Sequence, residues 1–85
     1  MARAVLLPPF PAQWFAGREE VDVPGAASIF ALVRALDKQA PGFGAVAEKR
    51  AAVAVNGSAI GDWSTRLDDG DEVLFVPRIA GGYSS

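Results

Sequence analysis

The chain has 85 residues, 51% of them hydrophobic and 21% charged, a length and balance that suit one small folded domain. Eight basic against ten acidic residues give a net charge of −2, which leaves no basic stripe to neutralise a nucleic-acid backbone. Cysteine and histidine are absent, so disulfides, thiolate metal centres and histidine-based triads are excluded.

Met1–Leu7 is apolar, but Pro8, Pro9 and Pro11 interrupt it too early for a signal-peptide core or a membrane span. A cytoplasmic protein with no membrane or nucleic-acid partner is therefore expected. Ala2–Leu7 carries apolar residues on both faces, which predicts a central strand, and the prolines end it because proline cannot donate to a sheet ladder. Ala12–Gly17 is expected to form a loop or short turn in which Trp14 and Phe15 act as packing anchors. From Arg18 to Val23 the pattern alternates, with Arg18, Glu20 and Asp22 opposite Val21 and Val23. This predicts a half-buried strand joined to the first by an expanded connection.

Pro24-Gly25 breaks that strand and a helix follows, with Ser28 placed to accept from an amide of the first turn. Ile29, Leu32, Val33 and Leu36 form one apolar stripe, and Pro41-Gly42 is the stop. Phe43–Arg50 leaves open a short second helical turn. Ala52–Val55 is a short strand, Asn56-Gly57 a two-residue hairpin turn and Ser58–Ile60 the return strand. Gly61–Arg66, with Trp63 as a further packing anchor, reads as an irregular loop. After Leu67, Asp68-Asp69-Gly70 turns tightly into Asp71–Val76, apolar on both faces and hence central. The acids of this turn lack the ligand spacing of a cation-binding loop and read as a solvated turn, so no metal is expected. Ser28, Ser64, Ser84 and Ser85 have no base to activate them.

The order β-β-α-β-β-β makes the first and last strands parallel neighbours, with the helix in the crossover such a pair requires. The fold class is therefore α+β, a β-grasp with a mixed sheet of four to five strands and one main helix packed on one face. Residues 1–77 form the domain, and residues 78–85 are expected to be a flexible C-terminal tail. The uncovered sheet face is a place for another protein.

Val53-Ala54-Val55-Asn56-Gly57, then Leu67-Asp68-Asp69-Gly70-Asp71-Glu72-Val73, then Pro77 and Ala80-Gly81-Gly82, follow one another in the chain. In this order they resemble the ubiquitin-like sulfur carriers, the small subunit of molybdopterin synthase and its thiamine-pathway relative. The resemblance spans almost the whole chain. Its long first connection and the proline after the last strand are nearer the molybdopterin-synthase subunit.

The resemblance implies a carrier, not an enzyme, that needs no cofactor of its own. A ubiquitin-activating-type enzyme, which holds the ATP, adenylates the C-terminal glycine carboxylate, and a sulfur donor converts it to a thiocarboxylate. The sulfur is then delivered inside a partner, the molybdopterin synthase large subunit or another acceptor. On this chain Gly82 would carry the sulfur and Gly81 would precede it; glycines have no side chains to obstruct a narrow channel. Arg78 to Gly82 would reach about 17 Å when extended. Phe75, Leu74, Val76, Pro77, Arg78, Ile79 and Ala80 are the implied partner contacts.

Two features depart from that pattern. Tyr83-Ser84-Ser85 follows Gly82, and an internal amide cannot be adenylated. Either a peptidase trims the three residues, as in carriers made as extended precursors, or they are an appended extension, or carrier activity has been lost. Arg78 stands where a second proline is common, and its charge suits an acidic groove. A carrier for thiamine or another biosynthesis, and a ubiquitin-like binding module without sulfur chemistry, remain the alternatives.

Overall fold

The computed structural model describes residues 2–78. Five strands and three helices run in the order β1 (Ala2–Leu6), α1 (Phe10–Trp14), β2 (Glu20–Val23), α2 (Ile29–Gln39), α3 (Phe43–Arg50), β3 (Ala51–Val55), β4 (Ser58–Ile60) and β5 (Glu72–Pro77). The sheet order is β2-β1-β5-β3-β4. β1 and β5 pair in parallel, from Arg3 against Glu72 to Leu6 against Phe75, and the other three pairings are antiparallel. This is the mixed β-grasp sheet expected from the sequence, with the first and last strands adjacent at its middle.

Strand alternation divides the sheet into two unlike faces. Ala2, Ala4 and Leu6 of β1, Val53 of β3, and Val73 and Phe75 of β5 are buried on one side. Against them lies α2, whose Ile29, Leu32, Val33 and Leu36 are all buried. Ser28 caps that helix, its Oγ accepting from the Ala31 N–H at 3.1 Å. The next orphan donors, the N–H groups of Ile29 and Phe30, find the carbonyls of Thr65 and Trp63. The loop after β4 is therefore tied to the start of α2, and Trp63 stacks edge-on to Phe30 at 5.7 Å.

Two segments are more helical than the sequence indicates. Residues 10–14 form α1 in place of the expected loop; Pro11 sits in the first turn, where a missing N–H costs nothing. The carbonyl of Pro11 accepts from both the Phe15 and Gly17 amides, and Ala16 and Gly17 leave the helix with positive φ. Residues 43–50 form the eight-residue α3. Its entry is built by Asp37 of α2, whose Oδ1 accepts from the N–H groups of Gly42 at 3.1 Å and Gly44 at 2.8 Å. Gly42 has φ +100°, which favours glycine, and a Cβ there would stand 3.3 Å from the Trp14 ring, close enough that the ring would have to shift by a few tenths of an ångström.

Both helices serve one aromatic cluster. Phe43 is fully buried, with the rings of Phe15 at 5.0 Å, Phe10 at 5.7 Å, Phe75 at 5.9 Å and Trp14 at 6.1 Å, all inclined edge-to-face. Strand limits also differ slightly from expectation. β2 begins at Glu20, because Arg18 turns back to donate its N–H to the Phe15 carbonyl. β5 extends to Pro77, opposite Ala51, an end position that needs no donated N–H.

Candidate functional site

The segment Asn56-Gly57 and the turn Asp68–Glu72 are far apart in sequence and joined in space. Asn56 takes φ +50° at the hairpin corner, and its side chain crosses to the start of β5. Its Nδ2 donates to Asp71 Oδ1 at 3.0 Å while its Oδ1 accepts from the Glu72 N–H at 3.0 Å. The Asn56 N–H in turn donates to the Glu72 carbonyl at 2.9 Å. Asp71 also closes its own turn, Oδ2 accepting from the Asp68 N–H at 2.8 Å. The Asp68 amide, and then the Asn56 side chain, hold the Asp71 carboxyl below the usual carboxylate range. Asn56 and the Asp71 carboxylate thus form a hydrogen-bonded clamp that fixes where β5 begins. Sequence reading places the turn correctly but not the clamp; its only signal is a hairpin asparagine with a carboxylate fifteen residues on.

From that clamp β5 runs through the middle of the sheet to Pro77. Phe75 is completely buried against Phe43, so among the described residues of the implied partner contacts it is the one that presents no surface. Leu74 and Val76 point the other way and are half-buried. On the same face Val5 lies beside Leu74, Ala54 pairs with Leu74, and Ala52 pairs with Val76, so small apolar side chains make a continuous strip. At one end Arg3 is held by Glu20 and Glu72, each at 3.3 Å. All three are about half exposed, so these pairs orient the rim more than they stabilise it.

Beyond β5, the exposed Arg78 donates its N–H to the Arg50 carbonyl at 2.7 Å, tying the end of the described chain to the end of α3. Pro77 is half-buried there. Ile79, Ala80, Gly81 and Gly82, and Tyr83–Ser85 after them, lie outside the described residues. Sequence reading did not include Arg50, Trp14 or Phe10 in this region, because it gave α1 and α3 no firm helical form. Among the described residues no helix is long and apolar enough to cross a membrane, and no group of three or more His, Cys, Asp or Glu is placed to hold a metal ion.

The sequence model of the ThiS family matches residues 9–82, nearly the whole chain, and ends at the second glycine of Gly81-Gly82. The chain belongs to the ThiS family. The likeness to ubiquitin-like sulfur carriers drawn from the Asn56-Gly57, Asp68–Glu72 and Gly81-Gly82 motifs is thus the correct one. No curated protein matches the chain.

Solved structures give the same fold. A chain of the Amycolatopsis orientalis BexX/CysO complex is 20% identical with a TM-score of 0.80, the likeness covering 96% of this chain and 100% of that one. Mycobacterium tuberculosis CysO is 18% identical with a TM-score of 0.78, over 93% and 100%. The Helicobacter pylori complex of subunits 1 and 2 of molybdopterin-converting factor contains a chain 23% identical, with a TM-score of 0.64, over 95% and 97%. At identities under 25% these likenesses carry the fold alone.

Proposed function

We propose that this protein is a sulfur carrier loaded as a thiocarboxylate at Gly82, after removal of Tyr83–Ser85, and that it donates sulfur as the small subunit of a molybdopterin synthase. The observation that carries this reading is the family match running through the tail and stopping at Gly82. Hydrolysis of the Gly82–Tyr83 bond frees a carboxylate. That carboxylate attacks the α-phosphorus of ATP on a ubiquitin-activating-type enzyme, giving the acyl adenylate and releasing pyrophosphate. A sulfur donor then displaces AMP and leaves the thiocarboxylate. The chain supplies no catalytic side chain to these steps, in keeping with its lack of cysteine and histidine.

The body's part is presentation. The tail continues from the central strand, whose start is clamped by Asn56 and Asp71 and whose end is pinned to Arg50. The apolar strip of Leu74, Val76, Val5, Ala52 and Ala54 is the face a larger partner covers, with Pro77, Arg78, Ile79 and Ala80 leading Gly81 and Gly82 into its active site. Two of the similar structures are complexes with a second subunit, and we read this chain as working the same way. Pro77 at the end of β5 and the long connection from β1 to β2 support the molybdopterin-synthase large subunit as acceptor. The extension Tyr83–Ser85 favours a second reading, a peptidase-processed carrier for thiamine or another biosynthesis.

The intact mass of the chain taken from its own cells tests the proposal. A species ending at Gly82, part of it heavier by one sulfur-for-oxygen exchange, is expected, and adding the molybdopterin synthase large subunit with its substrate should discharge it. A chain that always keeps Tyr83–Ser85 in the presence of the adenylating enzyme would mark a binding module instead. Gly82→Trp should abolish sulfur transfer and leave the fold unchanged.

A further inference from the structure

The end of the body from which the tail departs has a chemistry of its own. Arg50 ends α3 and Arg78 follows β5, and the 2.7 Å hydrogen bond between their backbones holds them side by side. Both residues line one cleft of about 410 Å³, together with Trp14, Phe10, Val46 and Pro77, and none of the described residues lining it is acidic. Lys49 precedes Arg50 in the last turn of α3. Unlike Arg3, which Glu20 and Glu72 hold, neither Arg50 nor Arg78 has an ion pair among the described residues.

The chain as a whole is acidic, so this grouping runs against its average. Asp68, Asp69, Asp71 and Glu72 gather at the opposite end of β5. Arg78 lies six residues beyond Glu72, about 20 Å at the usual strand rise, which exceeds two screening lengths at physiological salt. The acidic end therefore does not cancel the basic one. Glu48 and Asp62, in the neighbouring groove that Arg78 also lines, offset only part of the charge of Lys49, Arg50 and Arg78.

We propose that this cleft recognises an acidic loop carrying an apolar side chain, on the enzyme that seats the tail to adenylate Gly82. Any protein that takes up the tail must stand against Pro77 and Arg78, which brings its surface over the cleft. Guanidinium forks pair carboxylates in planar, bidentate fashion, and the apolar floor between them accepts the side chain that water would otherwise cover. Rim charges of this kind act mainly on the rate of encounter and on its salt dependence. The inference rests on the carrier reading and adds to it the chemistry of the docking surface.

The test is stopped-flow association of the chain, processed to Gly82, with the host's ubiquitin-activating-type adenylating enzyme. Arg50→Glu with Arg78→Glu should slow association about tenfold or more at low salt and change dissociation far less. The difference should vanish near 1 M salt, where screening acts over about 3 Å. The neutral pair Arg50→Gln with Arg78→Gln should fall between, with unchanged circular dichroism and melting. Arg34→Glu with Lys38→Glu, the same change in net charge on α2, should associate like wild type. Equal slowing by the two reversed pairs, or none by either, overturns the cleft while leaving the carrier reading intact. Wild-type chain that never binds the adenylating enzyme, at any salt, overturns both.

Discussion

Replacing Phe43 by alanine would remove the ring on which four others converge. Phe43 is fully buried, and Phe10, Phe15, Trp14 and Phe75 meet it at centroid distances of 5.0 to 6.1 Å from α1, from the residue after it, and from β5. A buried Phe→Ala change costs about 3–5 kcal/mol, the upper end applying where the walls cannot collapse into the void. Here the walls belong to separate elements anchored elsewhere, so about 4–5 kcal/mol is expected. A domain of this length has a total stability of about 4–13 kcal/mol, so Phe43→Ala should remove from about a third of it to all of it. Phe43→Leu keeps most of the volume and gives up the edge-to-face contacts, for about 1–2 kcal/mol. At roughly 4–8 °C per kcal/mol for a domain of this size, that lowers the melting midpoint by about 5–15 °C. Urea unfolding followed by circular dichroism measures both, through midpoints compared at constant slope. A loss under about 1.5 kcal/mol for Phe43→Ala, or equal losses for the two variants, would refute the idea that this ring holds α1 and α3 to the sheet.

Three further outcomes are open to measurement. Ser28→Ala should cost about 1 kcal/mol in thermal unfolding by orphaning the Ala31 amide; no change would mean that the Trp63 and Thr65 carbonyls suffice as the cap. Asn56→Gly keeps the positive φ and loses only the clamp, for about 1–2 kcal/mol, whereas Asn56→Ala adds backbone strain of about 1 kcal/mol, so the unfolding midpoints should fall in that order. Equal midpoints for wild type and Asn56→Gly would dissolve the clamp. The Asp71 and Asp62 carboxyls are held below their usual range in the folded state, Asp71 first by the Asp68 amide and Asp62 first by the Ser64 hydroxyl. A depressed folded pKa gives stability that is present above the unfolded value, about 3.9, and is lost as pH falls through the folded one. Unfolding midpoints should thus hold from pH 7 to 5 and decline below about pH 4, with Asp71→Asn starting lower and declining less. Parallel acid slopes for the variant and wild type would contradict this.

How far the sequence was legible follows from which forces act locally. The alternation at Glu20–Val23, the stripe Ile29–Leu36 with Ser28 before it, and Asn56-Gly57 each encode their own element, and the apolar runs of β1 and β5 imply two central strands. The parallel pairing then follows from topology alone. α1 was hidden because three prolines within residues 8–11 read as punctuation, and only the tertiary contacts of Phe10 and Phe15 make the turn helical. α3 was ambiguous because just two of its residues, Phe43 and Ala47, are buried, and its cap comes from Asp37 of another helix. At the site, the motifs around Asn56 and Gly70 identified the family, but their joining across the sheet is a long-range fact. So is the meeting of Arg50 with Arg78, residues 28 positions apart in the chain.

The strand that leads to the tail also sets how the molecule bears a pull. β5 lies between β1 and β3 and is hydrogen-bonded on both sides, so a pull directed along it toward the C-terminus acts parallel to both ladders. Tension on the C-terminus therefore loads both ladders in shear, straining many bonds together, whereas an edge strand drawn sideways would open one bond at a time. The threshold for extraction is set by the collective rupture of the sheet's centre, a kinetic property governed by the unfolding barrier. A pull along β5 is thus borne by the two ladders at the centre of the sheet together.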